Sequence, residues 1–237
     1  QSSFQSGEWL KYRLSYSGWL TAGYSTLEVN NSNYNNQSVY HIIGKGWTTG
    51  ALKWFFRVND RYESYIDKKT NKPYKFIRNI YEGGHIKNRV IEFDYERKLA
   101  VVNDFKIRKI TSVPINSDIQ DMISAYYYLR NNYDTKNIEP GSFIKLNMFF
   151  DNETYGFRLK FLGRQTIKTK FGNVKCLKFR PYVLADRVFH EEESVTLWVS
   201  DDKNKIPIKI KANLRVGSIV SYLDAFKGLK YPFEIHN

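Results

Sequence analysis

Cysteine is nearly absent from this chain. The single one, Cys176, excludes an internal disulfide, and its apolar neighbour Leu177 points to a buried thiol rather than a nucleophile. No run of about 18 apolar residues occurs, so no segment reads as a membrane-spanning helix. Histidine is scarce too: His41, His85, His190 and His236 are too scattered to pair by sequence. There is no HExxH pair, no Walker A loop and no GxSxG elbow, which removes the commonest zinc, nucleotide and serine-hydrolase chemistries. Gly44–Gly50 (GKGWTTG) imitates a glycine-rich loop, but its spacing is one residue too long. It also leads into an aromatic run rather than a helix, so it does not read as a phosphate cradle.

Acidic residues are in short supply. The formal net charge is +13, and Arg158 to Arg180 holds eight basic residues and no acidic one. A nucleic-acid or anionic-membrane partner would exploit such a field. The basic residues, however, alternate with apolar ones: Arg158 and Lys160 against Phe157, Leu159 and Phe161, and Lys209 and Lys211 against Ile208 and Ile210. On a strand this places the cations on a solvated face and the apolar set inside. No zinc-finger, helix-turn-helix or RNP motif is present, and the reading is of no nucleic-acid partner.

What the chain has in abundance is aromatic residues, 16% of its 237 positions, with 18 Tyr and 16 Phe, which suits half-buried strands. Period-two alternation runs almost throughout. One stretch departs from it. Ser117–Asn132 (SDIQDMISAYYYLRNN) places Ile119, Met122, Ile123, Tyr126, Leu129 and Tyr133 at helical spacing. Ser117 with Gln120 forms a capping-box pattern, Asp118 and Asp121 charge the first turn, and Arg130 falls in the last. Asn131-Asn132 offers a left-handed stop.

The expected strands are 7–16, 20–29, 39–46, 62–67, 74–82, 86–94, 99–102 and 105–110 before the helix. Those after it are 143–150, 155–162, 164–170, 174–180, 194–200, 206–213 and 217–223. Asn30–Gln37 reads as a polar loop, Trp47–Phe56 as a break in pattern, and 225–237 as an irregular tail. The two β segments echo one another. Gly7, Pro73 and Gly83 recur as Gly141, Pro207 and Gly217, each 134 positions on, and Gly7-Glu-Trp-Leu-Lys11 matches Gly141-Ser-Phe-Ile-Lys145. This predicts two similar meanders, about 7–110 and 141–224, linked by the helix in one structural unit of residues 1–237. The expected fold is mainly antiparallel β, a curved barrel-like or half-barrel sheet with one long helix at about 117–132.

Candidate chemistry is thin. His190-Glu-Glu-Glu193 would put only His190 and Glu192 on one strand face, two ligands and short of a closed metal site. Asp201-Asp202 sits in a turn composition, SDDKNKIP, where carboxylates usually bind backbone or water. Binding is the better prospect. Trp47, Trp54, Phe55 and Phe56 around the pattern break could line a pocket for an acyl chain or sugar, or plug a barrel end. Of the Tyr126–Tyr128 triplet, Tyr128 should point off the helix's sheet face and mark a surface. No cofactor or metal is expected.

GEWLKYRLSYSGWLTAGYSTLEV (from Gly7), DIQDMISAYYYLRN (from Asp118) and LWVSDDKNKIPIKIKANLRVGSIVSYL (from Leu197) together resemble the family of exported bacterial proteins known as domain of unknown function 3108, over Gly7 to about Leu223. That resemblance implies export through a signal sequence, which would account for a chain beginning at Gln1. It also implies a periplasmic or outer-membrane-associated location in a Gram-negative bacterium, and it supplies no catalytic residues. Trp198–Lys211 is similar to a tryptophan strand, turn and proline strand found in periplasmic lipoprotein carriers, whose half-barrels enclose acyl chains.

The functional expectation is a non-catalytic exported β protein binding a lipid, acyl chain or other amphipathic ligand in a concave sheet. The alternatives are an envelope scaffold that binds another protein, and a glycan-directed hydrolase with two carboxylates converging from distant strands.

Overall fold

The computed structural model describes residues 2–50, 53, 56–184 and 195–236, with the side chains of 183 and 184 excepted. A single sheet of fifteen strands dominates. The first meander comprises β1 (Trp9–Tyr16), β2 (Leu20–Tyr34), β3 (Gln37–Thr48), β4 (Asn59–Asp67), β5 (Pro73–Glu82), β6 (His85–Asp94), β7 (Leu99–Asp104) and β8 (Lys109–Pro114). A two-residue strand, β9 (Ile119–Gln120), leads into the helix α1 (Met122–Asn132). The second meander is β10 (Phe143–Phe150), β11 (Glu153–Thr169), β12 (Gly172–Leu184), β13 (Val195–Ser200), β14 (Pro207–Asn213) and β15 (Ser218–Lys227).

The spatial order is β8-β7-β6-β5-β4-β3-β2-β1-β15-β14-β13-β12-β11-β10-β9. The two meanders therefore run outward in opposite directions from a central β1·β15 pairing, in which Leu10 faces Phe226 and Tyr12 faces Leu223. Every neighbouring pair is antiparallel except β9 with β10, which is parallel. The first meander has eight strands and the second six, and they share particular features. Strands β1 and β10 are both eight residues long. Left-handed residues recur in the same pairs of turns, Gly7 with Gly141, Ser17 with Asp151, Asn71 with Lys205 and Gly83 with Gly217.

The sheet is rolled but not closed. Between its two edge strands the chain runs directly from Pro114 to Ile119, a step of five residues that spans at most about 18 Å. A second tie joins the far parts of the roll: Asp151, in the β10–β11 turn, binds Arg78 of β5 and Lys87 and Arg89 of β6 at 2.6–3.0 Å. The trough of this half-barrel is occupied by α1. Ile123 and Tyr127 pack with Phe4, Val29, Ile42, Phe76 and Phe149 in the largest core. A second core, built on Ile144, Leu159, Phe161, Leu177 and Phe179, lies against Leu129 and Tyr133. A third joins Leu10, Ile208 and Leu223 to Cys176 and to the C-terminal Phe233.

The helix is shorter than its sequence pattern suggests. Ile119 and Gln120 are taken by β9, and the N-cap is Asp121 rather than Ser117. Asp121 accepts from the Ile123 and Ser124 amides, while the Ser124 hydroxyl accepts from the Asp121 amide, so the capping box is Asp121/Ser124. Asp118, assigned to the first turn, instead accepts from the Asn147 amide. The helix ends on Tyr133 in an extended conformation, not on a left-handed asparagine.

Other boundaries shift for identifiable reasons. The supposed loop at Asn30–Gln37 is a long hairpin: β2 runs to Tyr34, and Asn35-Asn36, both left-handed, make the two-residue turn. Phe105–Arg108 is a turn, with Asp104 capping the Lys106 and Ile107 amides, and the edge strand starts only at Lys109. The two strands expected at 155–170 are one, bent by a bulge at Phe161/Gly163. β3 continues through Trp47 and Thr48, and β15 extends to Lys227, leaving a tail whose His236 bridges back to Asn173.

Candidate functional site

The site forms where the C-terminal half of α1 meets the second meander, and it is fixed from beneath by a buried ion pair. Arg130 and Glu8, both buried, join through two parallel bonds of 2.6 and 2.7 Å. The remaining guanidinium donors reach the Asn204 carbonyl at 2.8 Å and the Ser3 carbonyl at 3.1 Å. The guanidinium plane also lies within 5.3 Å of the Phe4, Tyr126 and Tyr127 rings. One residue thus locks together the N-terminal segment, the helix and the β13–β14 turn. A charge so buried is tolerated because each of its three nitrogens has a partner.

Asn204 continues the network, accepting from the Tyr231 amide and donating to the Tyr231 and Pro232 carbonyls, which pins the C-terminal tail. Beside it, Lys205 donates to the Tyr133 carbonyl at 2.6 Å, satisfying a carbonyl at the end of α1. Burial lowers the Lys205 ammonium below its usual range, only partly offset by Asp134 and Asp201.

Above this platform is a cavity of about 60 Å³. Its wall is formed by Ile144 of β10, Leu159 of β11, Leu177 and Phe179 of β12, and Leu197 and Val199 of β13. Leu129 and Tyr133 close it from the helix side, and Arg130 and Lys205 are the two cations on its lining. Strand alternation explains the wall: Leu177 and Phe179, and Leu197 and Val199, are successive same-face residues of two paired strands. The segment after α1 forms part of the lining at Thr135, whose carbonyl accepts from Arg164 at 2.9 Å.

The aromatic candidates do not converge on this trough. On β3, the Cβ direction of Gly44 points at Leu27 and at Ile123 of the helix, so Trp47, three residues on, lies on the opposite, outer face. There it contacts Tyr24, its cross-strand neighbour, at 6.2 Å. Phe56 is half exposed and packs beside Gly83. Trp54 and Phe55 lie outside the described residues, as do His190, Glu191, Glu192 and Glu193. Tyr128 is half-buried on α1, and the sheet separates it from Trp47. The cavity-lining leucines were legible only as strand-alternating apolar positions, and that signal does not distinguish a packed wall from an incompletely filled one.

A larger open trough of about 800 Å³ lies at the end of the first meander, between Tyr34, Asp67, Tyr74, Glu92 and Tyr95. Several of its polar groups are already engaged. Tyr34 donates to Glu92 at 2.9 Å, and burial together with that bond pushes the phenol up to about 12. Asp67 caps the Lys69 and Thr70 amides.

The Asp201-Asp202 pair is likewise committed. Asp201 pairs with Arg164 at 3.0 Å, and Asp202 accepts from Ser200, Asn204 and Lys205. Cys176 is buried, and burial pushes its thiol up to about 12, which removes the thiolate at neutral pH. Among the described residues no three metal-ligating side chains cluster.

A rolled antiparallel sheet wrapped around one helix, with an apolar cavity at their junction, defines a half-barrel protein. More particularly, the model of the family "Protein of unknown function (DUF3108)" matches residues 11–224, and the chain belongs to that family. No curated protein matches it. Among solved structures, the chain is similar to a beta-barrel-like protein of domain of unknown function DUF1849 from Brucella abortus. That match has a TM-score of 0.61 and 10% identity, covering 96% of this chain and 100% of the other. A candidate exported protein with a YmcC-like fold from Bacteroides fragilis matches at a TM-score of 0.37 and 10% identity, over 94% of this chain and 97% of that one. A candidate lipoprotein from Parabacteroides distasonis gives 0.37 and 9%, over 95% and 98%. The first of these shows the fold.

Proposed function

We propose that this chain is a non-catalytic protein of the bacterial envelope that holds the apolar part of an amphipathic ligand, such as an acyl chain, between α1 and the β10–β13 wall. The observation that carries this is the composition of the cavity: aliphatic and aromatic walls from four adjacent strands, closed on the helix side by Leu129 and Tyr133. Apolar walls take a hydrocarbon; the Lys205 ammonium is held by the Tyr133 carbonyl and the Arg130 guanidinium by Glu8, so neither cation is offered to a head group inside the cavity. At about 60 Å³ the space admits only the end of a chain, and a longer one would displace Leu129 and Tyr133 on the helix side. The resemblance to exported bacterial proteins supports the envelope location.

Native mass spectrometry of protein purified without detergent, followed by organic extraction, tests the reading. The expected result is a discrete adduct whose extract contains acyl species, lost in Leu177→Phe, which fills the cavity, while the fold is retained. A clean apo mass that stays unchanged after incubation with envelope lipids would overturn it and favour a protein partner.

A further inference from the structure

Turns are normally the polar parts of a β protein, because backbone reversals favour Gly, Asn, Asp and Ser and face water. In an antiparallel meander alternate turns share an end, so this sheet has two rims whose composition can be compared. One rim follows the rule. It carries Asn35-Asn36 between β2 and β3, the Lys68–Lys72 stretch between β4 and β5, Glu96–Lys98 between β6 and β7, and Asp201–Lys205 between β13 and β14.

The opposite rim breaks it repeatedly. The β1–β2 turn presents Trp19, 75% exposed, and Leu20. The β14–β15 turn, next to it through the β1·β15 pairing, presents Leu214 and Val216, the latter 74% exposed. Further along, Phe56 precedes β4 and Ile86 follows the β5–β6 turn, both exposed. The β7–β8 turn and the first residues of the edge strand add Phe105, Ile107 at 62% and Ile110 at 68%. Most of the large apolar side chains that the described residues leave in water therefore sit on five separate turns at one end.

The charges on these turns are of one sign. Arg57 follows Phe56, Arg215 lies between Leu214 and Val216, and Lys106, Arg108 and Lys109 alternate with the apolar residues of the β7–β8 turn, all of them exposed. Among the described residues of these five turns there is no Asp or Glu; the β10–β11 turn at the same end carries Asp151, already bound to Arg78, Lys87 and Arg89, with exposed Glu153 beside it. Core residues are not left out in this way at five independent places, and a protein partner of mixed charge does not select five tips of which three are cationic and none is acidic. Apolar tips interleaved with cations are what an interface of acyl chains and anionic head groups would recognise.

We propose that this rim is a docking edge that seats the half-barrel on the surface of an anionic bilayer, its turn tips entering the head-group region without crossing the membrane. The docking is independent of the cavity: the Leu177→Phe variant keeps it, so failure of one reading leaves the other standing.

Cosedimentation with vesicles tests it, using equal parts phosphatidylglycerol and phosphatidylcholine against phosphatidylcholine alone. The full chain is expected on the anionic vesicles only, with binding lost at high salt as the charges are screened. Ile107→Ser with Ile110→Ser, and separately Lys106→Glu with Arg108→Glu, are expected to weaken binding about tenfold or more. All four side chains are exposed, so circular dichroism and the melting temperature should stay unchanged. Tryptophan emission should shift to the blue on binding, and Trp19→Phe should reduce the shift. Equal binding to both vesicles, no binding to either, or binding that neither double variant alters would overturn the proposal. So would self-association that the apolar variants abolish in the absence of vesicle binding, which would assign the rim to a second copy of the chain.

Discussion

Asp121 is fully buried, and burial pushes its carboxyl up to about 6 even though Ser64 and two helix amides donate to it. A native value above the unfolded one means that the folded chain holds a proton that the unfolded chain releases over the intervening range. Stability therefore falls as pH rises from about 4 to 6, by up to roughly 3 kcal/mol. Asp121→Asn keeps an oxygen for the Ile123 and Ser124 amides, and the Ser64 hydroxyl can turn to accept. Urea unfolding across that range should show the decline flattened in the variant, with little loss at pH 8; an unchanged decline would show that another group is responsible. Arg130 behaves differently, because its partner is as buried as it is. Arg130→Met leaves the Glu8 carboxyl without its partner in the core and should cost about 3–5 kcal/mol, whereas Glu8→Gln with Arg130→Met should recover part of that, as comparison of the two denaturation midpoints would show.

At the scale of elements, backbone space separates two glycines that sequence treats alike. Gly141, before β10, is left-handed at φ +96 with open space where a Cβ would stand. Gly228 is left-handed too, at φ +67, but a Cβ there would fall on the Gly7 carbonyl, where the tail crosses the start of β1. Gly141→Ala should cost about 1 kcal/mol from conformation alone. Gly228→Ala should cost more and should loosen the tail, read as a larger fall in melting temperature and earlier proteolysis near Tyr231. The sequence shows the strands well because alternation is a local signal. It shows the helix less well, since Ile119 suits both a helical stripe and a strand, and only pairing with β10 decides between them. Asn35-Asn36 was a readable hairpin turn hidden by the polar residues on either side. The Arg130–Glu8 pair was not readable, because its members are 122 positions apart and Arg130 also fits a helix-dipole role. The aromatic segment shows the same limit: composition marks Trp47 as a candidate, and only the register of β3 places it on the outer face.

For the molecule as a whole, the open question in a rolled sheet is what keeps it rolled, since β8 and β9 share no ladder. Asp151 supplies one answer. It projects from the β10–β11 turn into three cations of β5 and β6, and the bond from Lys87 and the neighbouring Arg78 and Arg89 outweigh burial, holding its carboxyl below the usual range. A depressed native value means stability that is present above about pH 4 and lost as pH falls through the native value, opposite in sign to Asp121. Asp151→Asn leaves the fold of each meander intact but removes the charge that holds Arg78, Lys87 and Arg89 together. The expected loss is roughly 1–2 kcal/mol at neutral pH, because the site is partly solvated. Hydrogen exchange should quicken in β5, β6 and β10 while β1 and β15, paired at the centre of the sheet, keep their protection. Uniform acceleration across all strands would mean instead that the seam and the centre open as one cooperative unit, and that the two meanders have no separable stability.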